Sequence, residues 1–251
     1  MVKYIRREIR QLSSEDRETF LTAMELVHRL GDSDGKEAYG SKFVSALFLT
    51  RKHLAKITLD GCTPFHGYDV FLTAHEAFTL ELEQSLQAIH PAISLPFWDY
   101  TLDDALYGEE WITQSPVFAS DWFGPVGLRH SNASHVLSGR FSYIPVGTDA
   151  SAPEHNSYGR ITDAVNNNPS EYVTRSSATC GLATASRLPG CTTMRSVFRS
   201  KKLAGFRSAV EGNLHASTHV QVSTVPPTHR PVCPLTMRSC LSMPVCVQPK
   251  T

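Results

Sequence analysis

Residues 66–100 constrain the fold of this chain most, because they predict a long helix with a histidine on its apolar face. Apolar side chains and one imidazole recur there at steps of three and four residues: Phe71, His75, Phe78, Leu82, Leu86 and Ile89. Such steps place side chains on one stripe of a helix, and Pro91 ends the pattern. An unpaired buried polar group costs roughly 1–3 kcal/mol. His75 is therefore either a hydrogen-bonded core residue or a ligand.

The residues around His75 form a longer pattern. Its other members are, in order, His66, Phe78, Glu83, Leu86 and the run PFWDY at residues 96–100. The composite resembles the first copper-site signature of the tyrosinase family, which includes catechol oxidases and molluscan-type hemocyanins. That signature usually contains HG, FLxWHRxF, E, L and PYWD; Ala74 and Glu76 stand where it has Trp and Arg. The resemblance implies that His66 and His75 bind copper.

A helix predicted over residues 43–54 carries the next candidate, His53. In the tyrosinase family, the first of three histidines at the first copper lies on such a helix. His53 is the best-placed match, and His28, much further upstream, is the competitor. Upstream of both, residues 5–30 predict an amphipathic helix that is entered through Ser13 or Ser14.

A helical pattern returns at residues 194–222, with a helix expected at 203–222. His215 and His219 are four residues apart, so they project side by side, as two imidazoles on one metal must. The run from Phe206 to His219 resembles the second copper site of the same family. Glu211, one turn before His215, is the candidate catalytic acid that orients an imidazole or a water, or else a plain surface acid.

The resemblance ends near residue 222, because the Gly-Gly pair and the later DPxFxxHHxxxD segment of the family are not found. We therefore expect an incomplete copper-binding domain at residues 1–222. Residues 223–251, rich in Pro, Cys and Ser, are predicted to be a divergent, disordered tail. The resemblance implies a mainly α fold: a four-helix bundle with long irregular loops, whose fourth core helix is apparently missing here.

Charge and hydropathy exclude several classes of partner. The chain has 24 basic and 24 acidic residues, so electrostatics gives no case for nucleic acid or an anionic membrane. No apolar run approaches the roughly 20 residues that span a bilayer. The charged start lacks the apolar region of a signal peptide, so the location stays open, although the family makes secretion plausible. The sequence does not predict the oligomeric state.

Turn-forming residues dominate positions 101–195, which predicts a long irregular excursion with few helices. Cys180 and Cys191 bracket a loop of suitable size for a disulfide. The alternative is that both cysteines are free, buried thiols. Neither the turn-forming residues nor the cysteines indicate a catalytic function.

The resemblance implies an oxidoreductase that takes dioxygen and a small phenolic substrate. His53, His66 and His75 would hold one copper ion, and His215 and His219 the other, for oxidation of phenols or catechols to ortho-quinones. Ala216 stands where some tyrosinases have an Asn that assists phenol deprotonation, which favours catechol oxidation over monophenol hydroxylation. Two alternatives stay open: an inactive, truncated domain and a hemocyanin-like dioxygen carrier.

Overall fold

A computed structural model of the chain describes residues 4–57, 65, 70–129, 135–147, 171–175, 188–199 and 202–216. This part is mainly helical, as predicted. The helices are α1 (Ser14–Arg29), α2 (Asp32–Tyr39), α3 (Ala46–Ile57), α4 (Phe71–Ile89), α5 (Tyr100–Tyr107), α6 (Trp111–Gln114), α7 (Cys191–Phe198) and α8 (Leu203–Ala209), which continues as a π-helical segment (Val210–Ala216). Short 3-10 turns occupy Ile9–Gln11, Gly108–Glu110 and Pro116–Phe118.

The core lies where α1 packs against α3 and α4. The predicted stripe of α4 faces it: Phe71, Phe78, Leu82 and Leu86 are all buried. The helix ends at His90, whose N–H donates to the Leu86 carbonyl, one residue before Pro91.

Helix α1 begins as predicted, since the Ser13 hydroxyl accepts a hydrogen bond from the Asp16 N–H at 3.0 Å. The preceding residues 4–8 are extended rather than helical. Their backbone pairs with Phe97, which donates to Arg7 O and accepts from Ile9 N, each at 2.9 Å. Pairing with a distant segment thus overrides the local helical pattern.

Two partly buried ion networks hold residues 4–8 and the 3-10 turn that follows them. Arg6 Nη2 donates to Glu83 Oε2 on α4 at 2.7 Å, and Glu83 Oε1 accepts from the Leu95 N–H at 2.8 Å. Arg10 contacts Asp103, which is fully buried and accepts from the Trp98 indole at 2.6 Å. The signature residues Glu83 and Trp98 therefore anchor the start of the chain.

The expectation of few helices at residues 101–195 is wrong at its beginning, where α5 and α6 form. The Asp99 carboxylate accepts from the Thr101 N–H at 3.1 Å and starts α5, a cap that the density of turn formers concealed. Trp111 and Phe118 pack at 5.3 Å between ring centroids. Beyond them, a small antiparallel sheet has the order β1 (Val126–Arg129), β2 (His135–Leu137), β3 (Thr174–Arg175).

The helix predicted at residues 203–222 is interrupted, and a separate helix, α7, precedes it. The α8 pattern changes to π-helical hydrogen bonding at Val210. Met194 and Val197 of α7 pack with Leu214 in a second small core. Residues 217–251 lie outside the described residues, so the absence of the fourth core helix and the disordered tail at 223–251 stay predictions.

Candidate metal centre

His53 of α3 and His75 of α4 lie side by side in the interior. Their ring centroids are 5.9 Å apart and the rings are nearly perpendicular, at 76°. Only 3% of His53 and 6% of His75 is exposed. The two helices both pack on α1, which brings together residues 22 positions apart in the sequence. Their role as ligands stays a prediction.

Three phenylalanines surround the two imidazoles. The Phe71 ring lies 4.4 Å from the His75 ring, and the Phe65 ring lies 5.5 Å from His75 and 5.7 Å from His53. Phe78 contacts His53 at 5.8 Å. Such an apolar lining controls solvent access and lowers the local dielectric around a metal site. The sequence did not predict the contact of Phe65 with the histidines, because this residue belongs to no periodic pattern or motif.

A hydrogen bond fixes the tautomer of His75. Its Nδ1 lies 2.7 Å from the Phe71 carbonyl, which can only accept, so Nδ1 carries the proton. Burial lowers the pKa of His75, partly opposed by the Phe71 carbonyl and the Glu211 carboxylate. A metal-binding histidine is usually neutral. One ring nitrogen, here Nε2, offers its lone pair to the metal, and the N–H of the other donates to a carbonyl.

Glu211 is the acidic side chain that acts electrostatically on His75. Its carboxylate partly opposes the lowering of the His75 pKa by burial. It also lies 3.2 Å from Arg207 Nη1, one turn earlier. Arg207 was not singled out in the sequence, although its i,i+4 spacing to Glu211 predicts such a pair. The Glu211 side chain, on the segment Val210–Ala216, is therefore within electrostatic range of His75.

The remaining predicted ligands are not placed. His66 and His219 lie outside the described residues, and the same holds for the side chain of His215. In the described part of the chain, no group of three His, Cys, Asp or Glu side chains could hold a metal ion. The candidate centre is thus the pair His53 and His75, with Glu211 nearby.

Two other sequence candidates lie elsewhere. His28 on α1 places Nδ1 2.7 Å from the Met24 carbonyl and contacts the Phe141 ring at 6.0 Å. This packing favours His53 over His28 as the partner of His75. Cys191 is an exposed free thiol, and Cys180 falls outside the described residues. Within those residues, no helix is both long and apolar enough for a bilayer.

Two curated proteins that are similar to this chain are bacterial tyrosinases. A tyrosinase of Streptomyces glaucescens is 29% identical over 167 residues, which cover 62% of this chain and 53% of that protein. A tyrosinase of Streptomyces antibioticus is 26% identical over 138 residues, or 55% of this chain and 44% of the relative. The chain therefore spans about half the length of these curated relatives.

The fold and the family follow from two further matches. A polyphenol oxidase from Thermothelomyces thermophila superposes with a TM-score of 0.55 at 17% identity, covering 89% of this chain and 62% of that one. It confirms the predicted tyrosinase-like fold class. The family model described as "common central domain of tyrosinase" matches residues 37–240, past the motif boundary near 222. Because this match spans most of the chain, the chain belongs to the tyrosinase family.

Proposed function

We propose that this chain is the copper-binding core of an oxidoreductase that uses dioxygen to oxidise phenols or catechols to ortho-quinones. The observation that best supports the proposal is the pairing of two buried imidazoles, His53 and His75, inside an aromatic pocket. With His66 they would hold the first copper. His215 and His219 would contribute to the second.

The two described imidazoles are of a ligand type that suits copper. Imidazole nitrogens are borderline ligands that accept both Cu(I) and Cu(II). A metal–imidazole bond is about 2 Å long, so each ring centre lies about 3.2 Å from the ion, and two such rings are about 5–6 Å apart when the angle between the bonds is about 105–140°. The observed 5.9 Å between His53 and His75 falls in that range. The lowered pKa of His75 also keeps the proton from competing with the metal near neutral pH.

Copper, when bound, would supply the redox chemistry that links phenol oxidation to dioxygen reduction. The protein orients the ligands and limits the access of water to them. The Phe71 carbonyl holds the His75 ring in one tautomer. The rings of Phe65, Phe71 and Phe78 limit the access of water. These contacts support a closed site for a small aromatic substrate.

Two residues of the C-terminal segment bear on the substrate. We propose that Glu211, which is paired with Arg207, orients an imidazole or a water at the second copper rather than acting alone. Ala216 has a methyl group at the position where some family members have a polar amide. The proposal therefore favours catechols over monophenols as substrates.

Copper content and catechol oxidation test the proposal together. The full chain is loaded with copper, its metal content is measured by elemental analysis, and ortho-quinone formation is followed by absorbance. We expect two coppers per chain and oxidation of the catechol. His53→Ala and His75→Ala should each lose about one copper and reduce the rate to background, because each removes a first-site ligand. His28→Ala and the exposed His90→Ala should keep both properties.

The other outcomes separate the alternatives. One copper or none in the wild-type chain, without oxidation, would refute the proposal and support an inactive domain. Two coppers with reversible dioxygen uptake, but without catechol oxidation, would point to a dioxygen carrier. Full activity in His75→Ala would refute the assignment of the first site.

A further inference from the structure

We propose that α3 and α4 are joined by a two-point clamp, which sets their spacing and thereby positions His53 and His75 for the first metal. One point is the Ser85 hydroxyl and the other is the ion pair between Lys52 and Glu81. The inference rests on the proposed function. It assigns these side chains a positioning role, since none of them contacts the metal directly in that proposal.

The first point of the clamp fixes the start of α3. Ser85 on α4 is fully buried, and its hydroxyl donates to the Val44 carbonyl at 2.8 Å while it accepts from the Val44 N–H at 2.9 Å. The next residue is held as well, because the Ser45 N–H donates to Asp32 at 2.8 Å. The Ser45 hydroxyl then caps Phe48 N–H at 3.0 Å. The beginning of α3 therefore cannot slide along α4 without breaking buried hydrogen bonds.

The second point lies beside the histidines. Lys52 Nζ is 2.5 Å from Glu81 Oε2, and Lys52 immediately precedes His53. Both side chains are partly exposed, so the isolated ion pair contributes little to stability. Its location matters more than its strength, because it joins the two helices one residue before His53 on α3 and six residues after His75 on α4.

The spacing of the contacts shows one face of α4 turned towards α3. His75, Phe78, Glu81 and Ser85 follow at steps of three, three and four, which keeps them on the same side of the helix. Along α4 these residues meet α3 in reverse order, so the helices run antiparallel. The imidazoles lie just beyond the ion pair, at the end of α3 opposite to Ser85.

This geometry predicts an effect on metal binding that exceeds the effect on stability. A metal site requires ligands held within about 0.5 Å of their productive positions. Loss of supporting contacts around ligands typically weakens metal binding 10–100-fold. We expect about a tenfold loss of affinity when the ion pair is replaced by two like charges, because repulsion would separate the helices next to His53.

The experiment is a charge swap. The parent is the full chain with His215→Ala and His219→Ala, so that only copper bound at the first site is measured. Three variants are made in it: Lys52→Glu, Glu81→Lys and the double variant. The Kd for Cu(I) is measured by competition with a chromophoric chelator, and unfolding of the metal-free proteins is measured alongside. Each single variant should bind about tenfold more weakly, and the swap should restore most of the loss.

A control breaks a partly exposed ion pair away from the site. Glu25→Lys on α1 removes the i,i+4 pair with Arg29, whose Nε lies 2.8 Å from Glu25 Oε1, and a longer contact with Arg140 at 3.8 Å. This variant should melt at a slightly lower temperature with an unchanged Kd. Ser85→Ala tests the other point of the clamp and should weaken copper binding as well.

The clamp would be overturned by an unchanged Kd in both single variants. A loss of copper affinity that the swap does not restore would overturn it as well. A parent protein that binds no copper would instead refute the proposed function. In that case the unfolding data test the clamp on their own. Additive effects of Lys52→Glu and Glu81→Lys on the free energy of unfolding would overturn it, and coupled effects would support it.

Discussion

Replacing Glu83 by Ala should destabilise the metal-free protein by about 3–5 kcal/mol, because Glu83 joins three segments from a buried position. Its side chain is 8% exposed, and it accepts from Arg6 Nη2 at 2.7 Å and from the Leu95 N–H at 2.8 Å. An unsatisfied Leu95 N–H costs about 1–3 kcal/mol, and a charge-assisted hydrogen bond contributes about 1.5–3 kcal/mol. Arg6 is 27% exposed, so water recovers part of its loss.

Chemical denaturation of the chelator-treated protein measures this loss. In a heat scan, the same change corresponds to a Tm lower by about 6–20 °C for a chain of this size. The matched control is Glu76→Ala, which removes the other acidic partner of Arg6. Glu76 is 58% exposed and 3.5 Å from Arg6, so it should cost less than about 1 kcal/mol. Equal losses in the two variants, or a loss below about 1 kcal/mol for Glu83→Ala, would refute the reasoning.

Two further predictions concern stability. The pKa of His75 is lowered in the folded state, so the unfolded chain binds more protons; stability should be complete above the ordinary histidine pKa of 6.5 and fall as the pH drops below it. Denaturation of the metal-free protein at several pH values checks this, and a His75→Asn variant with an equally steep loss would contradict it. Gly35→Ala should cost about 1–3 kcal/mol, since a Cβ there would overlap the Phe43 ring. Gly31→Ala, where the space is open, should cost less; equal melting temperatures would contradict the packing argument.

Local patterns predicted the long helices well, because the information lies within a few turns. The α4 stripe, the Ser13 cap and the stop before Pro91 each depend on neighbouring residues. The pairing of His53 with His75 needed the family resemblance as well, because no local rule brings α3 to α4. The structure places these two rings together and leaves His66 and His219 as predictions.

Long-range pairs account for most of what the sequence did not predict. Arg6 and Glu83 are 77 residues apart, and Arg10 and Asp103 are 93 apart. Neither pair has a period that a helix or strand rule detects. The same limit explains why the helix predicted at residues 5–30 begins only at Ser14, since the extended conformation of residues 4–8 depends on Phe97. The interruption at Val210 was also missed, because π-helical hydrogen bonding leaves no distinct apolar period.

The pairing of the first residues with much later ones has a consequence for synthesis on the ribosome. Arg10 leaves the exit tunnel well before Asp103, because the two are 93 positions apart. At roughly 5–20 residues per second, its partner follows about 5–20 seconds later. During that interval Arg6 and Arg10 are solvated and the amino-terminal segment has no docking surface. Residues 4–10 can therefore dock only after α4 and α5 have been synthesised.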